Sequence, residues 1–283
     1  MNLVEKFQNL VRKPLAEKRH MKKTLVGEKV FIPLYSKEEI KADPSRKKAT
    51  AVLSLIGKDA PTMIICPGGA YAFVSYINEG TDFAKRFNEA GYNVMIVNYR
   101  VQENARFPKP MEDLAKAMKF VRDNAEKYHF SKDKVFICGS SAGGHLCAYY
   151  GARYSDFACI APGVNLRPSG VVLCYPVISM SDETHEYSRE NLLSKNYSES
   201  EALDKSVELI ADETYPPTFI WHCMDDTCVN VSNTLRLDKR LTEVGVKHQC
   251  NIYETGEHGC GLALNKEPKG WFDEMLKFIG SVE

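Results

Sequence analysis

Gly139-Ser140-Ser141-Ala142-Gly143 sets a serine in the middle of a five-residue turn whose flanking positions carry little or no side chain, the pattern G-x-S-x-G. The apolar run Val135-Phe136-Ile137-Cys138 before it favours a buried strand, and His145 to Arg153 after it suits a helix. A serine at the tip of such a strand-to-helix turn has its Oγ pushed out of the sheet, and small neighbours let the two backbones pass closely. The helix that follows aims free N–H groups and a positive dipole end at whatever forms on Ser141.

A serine hydroxyl alone is a weak nucleophile. It needs a base within hydrogen-bond reach and an acid that orients the base. Seven histidines compete for the first role. His20 precedes the folded region, His129 ends a helical pattern, His185 falls in a polar insertion and His248 starts a strand at the far edge. His145, one helical turn past Ser141, is expected to pack or hydrogen-bond beneath the turn, and His222 to shape the loop that follows its strand. His258 lies in Thr255-Gly256-Glu257-His258-Gly259-Cys260-Gly261, a glycine-flanked loop after the last strand, and is the candidate base. The acid belongs after the penultimate strand, in Trp221-His222-Cys223-Met224-Asp225-Asp226-Thr227-Cys228-Val229, with Asp226 the candidate and Asp225 the alternative.

The order Ser141, Asp226, His258 is that of the α/β-hydrolase arrangement, not that of trypsin-like or subtilisin-like enzymes. A strand at Thr62 to Cys66 runs into Pro67-Gly68-Gly69-Ala70-Tyr71. The N–H groups of Gly69 and Ala70, with that of Ala142, are the candidate oxyanion hole. Tyr71 is expected to touch substrate. Together these parts fit attack of Ser141 on an acyl carbonyl, an acyl-serine and its hydrolysis by water, with no metal or organic cofactor required.

The elements that must position these residues follow from periodicity. Apolar strands at Thr62 to Cys66, Asn93 to Asn98, Lys134 to Cys138, Gly170 to Cys174, Pro217 to His222 and Lys247 to Tyr253 alternate with helical patterns. The helices are read at Thr81 to Ala90, Pro110 to Tyr128, Val231 to Val244 and Pro268 to Ile279. Such alternation predicts an α/β fold with a mainly parallel central sheet covered by helices on both faces, its ligand at the carboxyl ends of the strands. Residues 177–214 interrupt it with a polar stretch too long for an ordinary connection, which predicts a small cap with a short helix in its second half. Two further strands, Lys29 to Leu34 and Ala49 to Ile56, precede the alternating region. Leu3, Val4, Phe7, Leu10 and Val11 recur at helical spacing. The organisation expected is therefore a helical extension, residues 1–24, and a single domain, residues 25–283. The extension packs on its own chain or, alternatively, forms a homodimer contact.

The chain of 283 residues balances 37 basic against 37 acidic side chains, which gives no indication of a nucleic-acid or acidic-membrane partner. No apolar run of the roughly 20 residues a membrane span requires is present. The N-terminus does not read as a signal peptide, and a cytoplasmic location is expected. The nine cysteines are odd in number and lack metal or redox spacing, so reduced thiols are the simplest reading.

The chain resembles α/β-hydrolases of the acetyl-esterase and lipase-like group, and within it the small intracellular esterases related to acetylxylan esterases. The pieces that carry the resemblance are Cys66-Pro67-Gly68-Gly69-Ala70-Tyr71, Glu79-Gly80, Gly91-Tyr92-Asn93-Val94, Asn98-Tyr99-Arg100-Val101, Gly139 to Leu146, Tyr175-Pro176-Val177-Ile178, Pro216-Pro217-Thr218-Phe219, Asp225-Asp226 and His258-Gly259. The family's nucleophile falls on Ser141, its acid on Asp226 and its base on His258. The resemblance implies cleavage of short acyl esters, with acetylated sugars a common substrate class. Three positions depart from the usual pattern. Ala70 stands for the third glycine of the oxyanion loop, Cys223 for the glycine after His222, and Thr227 for the proline that often follows the acid. The rival readings are a feruloyl esterase, thioesterase, lipase or peptidase on the same scaffold, and a ligand-binding protein without turnover.

Overall fold

A computed structural model describes residues 28–282; the helix expected within residues 1–24 lies outside them. The strands are β1 (Glu28–Pro33), β2 (Thr50–Leu55), β3 (Ala60–Cys66), β4 (Asn93–Asn98), β5 (Phe130–Ser140), β6 (Gly170–Cys174), β7 (Thr218–Cys223) and β8 (His248–Tyr253). They form one eight-stranded sheet in the order β1-β2-β4-β3-β5-β6-β7-β8. Only β1 with β2 and β2 with β4 pair antiparallel; the rest of the sheet is parallel.

Parallel strands covered on both faces read as continuous apolar runs, and successive side chains alternate between the faces. Ile64, Val97, Ile137, Leu173 and Ile220 point to one layer, where they meet Met111, Leu114, Met118, Leu146, Leu237 and Leu241. Met63, Ile65, Ile96, Phe136, Val172 and Trp221 point to the other, against Phe83, Phe87, Trp271, Phe272 and Met275. The helices are α1 (Lys37–Ala42), α2 (Asp82–Glu89), α3 (Lys109–Asp123), α4 (Ala125–Tyr128), α5 (Ser141–Arg153), α6 (Glu186–Leu193), α7 (Glu199–Asp204), α8 (Val207–Ile210), α9 (Ser232–Glu243) and α10 (Trp271–Gly280). The helix expected over Pro110 to Tyr128 is two pieces. Asn124 leaves the helical region, its side-chain amide donates to the Phe120 carbonyl, and α4 then ends on His129 at φ 58°.

The connection from β6 to β7 holds three short helices, α6 to α8, where a single one was expected. Its first residues are anchored. The N–H groups of Ile178 and Ser179 both donate to Asn233 Oδ1, and Met180 N–H donates to Ser206 Oγ. Val177, Ile178 and Met180 are fully buried. All nine cysteines are unpaired. Among the described residues no helix is long and apolar enough to cross a membrane.

Candidate active site

Strand β5 passes directly into α5, with Ser140 ending one and Ser141 opening the other. Ser141 takes φ 53°, a left-handed conformation that an L side chain adopts at a cost of order 1–3 kcal/mol. The surrounding glycines are required by contact. A Cβ on Gly139 would come 2.1 Å from the Gly143 carbonyl oxygen, and one on Gly143 would come 2.0 Å from that of Cys66. The Ala142 N–H lies in the first turn of α5, among the donors that have no partner within the helix.

His258 Nε2 stands 2.9 Å from Ser141 Oγ, and His258 Nδ1 stands 2.6 Å from Asp226 Oδ2. With Nδ1–H donating to the carboxylate, Nε2 is free to accept the serine proton. The loop carrying the imidazole turns through left-handed Glu257, Gly259 and Gly261 and is pinned at several points. Asp225 accepts the N–H groups of Gly256 and Glu257, Asn78 donates to the Gly259 carbonyl, and Gly261 N–H donates to the Tyr175 hydroxyl.

The Asp226 side chain is fully buried. Burial opposes its ionisation, but hydrogen bonds from His222 and His258, the electrostatic pull of the His258 imidazole and the Val229 N–H outweigh that and hold the carboxyl well below the usual carboxylate range. Oδ1 accepts the N–H groups of Cys228 and Val229 at 2.9 Å, while Oδ2 faces both His258 and, at 3.1 Å, His222 Nε2. His222 is fixed from its other side by the Thr234 hydroxyl on Nδ1, 2.7 Å away. The chain at Asp225-Asp226 thus divides two tasks, the second residue meeting the imidazole and the first meeting the loop that carries it.

The loop after β3 packs against this elbow. A Cβ on Gly68 would fall 2.9 Å from Ser141 Cβ. Gly69 has φ 126° and could carry no Cβ, which would meet the Phe73 carbonyl oxygen at 2.2 Å. Ala70, the residue in place of a glycine, is left-handed at φ 55°, as is Tyr71 at φ 56°. Among the described residues the N–H groups of Gly69 and Ala70 donate to no protein acceptor. The Ala70 carbonyl is held by the Asn191 side chain from α6.

Tyr71, expected to touch substrate, is turned inward. Its left-handed backbone turns the ring under the loop, where it is fully buried against Tyr99 and its hydroxyl lies 2.9 Å from His145 Nδ1. His145 in turn reaches the Lys205 carbonyl through Nε2 at 2.8 Å, so it sits beneath the elbow and takes no part at Ser141. Two residues with no role assigned from sequence lie behind the site. Glu79, 4% exposed, accepts the Gly68 N–H at 2.8 Å and the Tyr175 hydroxyl at 2.9 Å, and the Tyr175 ring stands edge-on to His258 with centroids 5.0 Å apart. Both fall in segments that carry the family resemblance, which was their only signal. Among the described residues no group of His, Cys, Asp and Glu side chains is placed to hold a metal ion.

Comparison with known proteins agrees with this architecture. The profile of the BD-FAE family matches residues 54–241. Endo-1,4-beta-xylanase B of Butyrivibrio fibrisolvens is 32% identical over 74% of this chain, and acetylxylan esterase of Xylanibacter ruminicola is 30% identical over 76%. The chain spans only 34% and 43% of the lengths of those two proteins. Among solved structures, an acetyl ester-xyloside bifunctional hydrolase from Caldicellulosiruptor lactoaceticus superposes with a TM-score of 0.83 at 31% identity, covering 91% of this chain and 98% of that one.

Proposed function

The chain belongs to the BD-FAE family of α/β-hydrolases, and from that we propose that it is a serine esterase that removes short acyl groups, acetyl foremost, from carbohydrate esters. The observation that carries this reading is the continuous contact Asp226–His258–Ser141, with separations of 2.6 and 2.9 Å, at the start of a helix and beside a loop with free N–H groups. The acetyl and sugar parts rest on relatives named for acetylxylan ester and xyloside hydrolysis.

In the mechanism, His258 Nε2 takes the Ser141 Oγ proton as Oγ bonds to the ester carbonyl carbon. The resulting oxyanion is held by the N–H groups of Gly69, Ala70 and Ala142. Asp226 stays ionised, keeps the imidazole in one tautomer and stabilises the imidazolium. The imidazolium then donates its proton to the departing alkoxide oxygen, which leaves as the alcohol half of the substrate. Water, giving a proton to the same nitrogen, attacks the acyl-serine, and collapse returns the serine and a carboxylic acid. Residues 177–214 act as the cap, since Asn191 braces the oxyanion loop and His185 lies 3.7 Å from Cys228 on the acid's loop.

The test is hydrolysis of p-nitrophenyl esters from acetate to octanoate, followed by acetylated xylo-oligosaccharides, wild type beside Ser141→Ala. Turnover highest with acetate and abolished by the substitution is the expected result. A Ser141→Ala protein as fast as wild type would sink the mechanism, and a maximum at longer chains would replace the acetyl assignment with a lipase-like one.

A further inference from the structure

Before α2 the chain makes a single π-helical turn, Ile77–Thr81, closed by Thr81 N–H on the Tyr76 carbonyl at 2.7 Å. Such turns are uncommon and concentrate at functional sites, because the extra residue redirects one side chain out of the helical pattern. Here it directs Glu79 into the protein. One carboxylate oxygen, Oε2, accepts the Gly68 N–H at the root of the oxyanion loop. The other, Oε1, accepts the Tyr175 hydroxyl, whose oxygen accepts the Gly261 N–H at 3.1 Å, three residues beyond His258. The neighbouring Asn78 donates to the carbonyl of Gly259, the residue after His258. Gly68 is held so closely that a Cβ there would fall 2.9 Å from both Glu79 Oε2 and Ser141 Cβ.

A buried carboxylate is strongly disfavoured unless its charge is met by donors. Burial pushes the Glu79 carboxyl up, against the opposing pull of nearby His258 and of hydrogen bonds from Gly68, Tyr175 and Ser75. An apolar residue would fill this space at lower cost, yet no apolar residue could hold two loops at once. Resting on the esterase reading, we propose that Glu79 is a positioning residue for the reaction. Its carboxylate fastens the oxyanion loop and, through Tyr175, the histidine loop to one point, so that the N–H donors and the base keep their spacing while charge forms on the substrate.

The expected consequence is a loss in kcat without a loss in substrate binding. Glu79→Gln keeps the size but turns one acceptor into a donor, so either Gly68 N–H or the Tyr175 hydroxyl meets an amide NH₂. With p-nitrophenyl acetate, kcat is expected to fall about 30- to 100-fold while KM stays within about threefold, in line with loss of placement at the oxyanion. Tyr175→Phe cuts only the branch to the histidine loop and is expected to lower kcat about tenfold. The double variant should lose less than the product of the two single losses, because both weaken the branch that runs through Tyr175.

A kcat near wild type in Glu79→Gln, or losses that multiply in the double variant, would overturn the role. If Glu79→Gln does not fold, Tyr175→Phe decides the matter. A tenfold lower kcat at unchanged KM supports the link, and wild-type kcat refutes it. The two readings separate on the Ser141→Ala control. A wild type without Ser141-dependent turnover removes both, whereas an active wild type with an unimpaired Glu79→Gln removes only the role of Glu79.

Discussion

Asp225 grips the backbone of Glu257. Its Oδ1 accepts the Glu257 N–H at 3.0 Å, and Oδ2 accepts that of Gly256 at 3.1 Å, so the residue before Asp226 holds the loop that carries His258. Asp226, one position on, meets the imidazole itself at 2.6 Å. The two aspartates therefore separate experimentally. Asp226→Asn places an amide donor where His258 Nδ1–H needs an acceptor, and kcat is expected to fall about 10³- to 10⁴-fold. Asp225→Asn retains one acceptor for the loop, and a loss of about tenfold is expected. Steady-state kinetics on p-nitrophenyl acetate give the comparison, and equal losses would contradict this division of tasks.

The loop after β3 offers a paired test at adjacent positions. A methyl group on Gly69 would meet the Phe73 carbonyl oxygen at 2.2 Å, so Gly69→Ala must move the backbone and with it the N–H groups. Loss of one such donor typically costs 10²- to 10³-fold in rate, and kcat is expected to fall by about that factor. Ala70→Gly runs the other way. Ala70 already sits at φ 55°, where a side chain costs about 1–2 kcal/mol, and glycine removes that strain while adding about 0.4–1 kcal/mol of unfolded-state freedom. Stability is expected to rise by about 1 kcal/mol and kcat to change by less than about threefold. A large loss in Ala70→Gly would mean that the methyl group itself shapes the acyl site.

What was legible in the sequence was whatever repeats or is bounded by glycine. Strands such as Met63-Ile64-Ile65 and Val94-Met95-Ile96-Val97 read plainly because both their faces are buried. Ser141 and His258 stood out because glycines flank them in turns at strand ends. Ser198 and Glu201 form a capping box that opens α7, a local signal of the helix expected there, whereas His185 before α6 makes no side-chain cap and left that helix unread. Tyr71 and Glu79 were hidden for a different reason. The direction of each side chain is set by one unusual backbone turn, left-handed in one case and π-helical in the other, and neither leaves a periodic trace.

His145 gives the fold a pH dependence of known sign. Burial holds its imidazole down, from an ordinary 6.5 to about 4, against the opposing hydrogen bond to the Lys205 carbonyl. The unfolded chain takes up this proton near 6.5, while the folded chain does not until about 4. Stability is therefore full above about pH 6.5 and falls as pH drops towards 4, by roughly 3 kcal/mol for such a gap. Glutamine can donate to the Lys205 carbonyl and accept from the Tyr71 hydroxyl without titrating. The melting temperature of His145→Gln is expected to fall less than that of wild type between about pH 7 and pH 5. Parallel slopes for the two proteins would show that another group dominates in that window.

Ser141 should be a site where stability and activity oppose one another. The residue is held at φ 53° so that Oγ meets His258 Nε2, and the left-handed backbone is the cost of that placement. Ser141→Ala removes the hydroxyl but keeps the strain, because the methyl group is as unwelcome there as the serine side chain. Ser141→Gly removes both. Relief of about 1–2 kcal/mol, less about 0.4–1 kcal/mol for the greater freedom of the unfolded glycine chain, leaves a net gain near 1 kcal/mol. For a protein of this size that corresponds to about 2–4 °C. Both variants are expected to lack turnover, but Ser141→Gly should melt above Ser141→Ala by that margin in calorimetry. If Ser141→Gly instead melts below Ser141→Ala, the turn is relaxed, and the serine is held in place by its neighbours without strain.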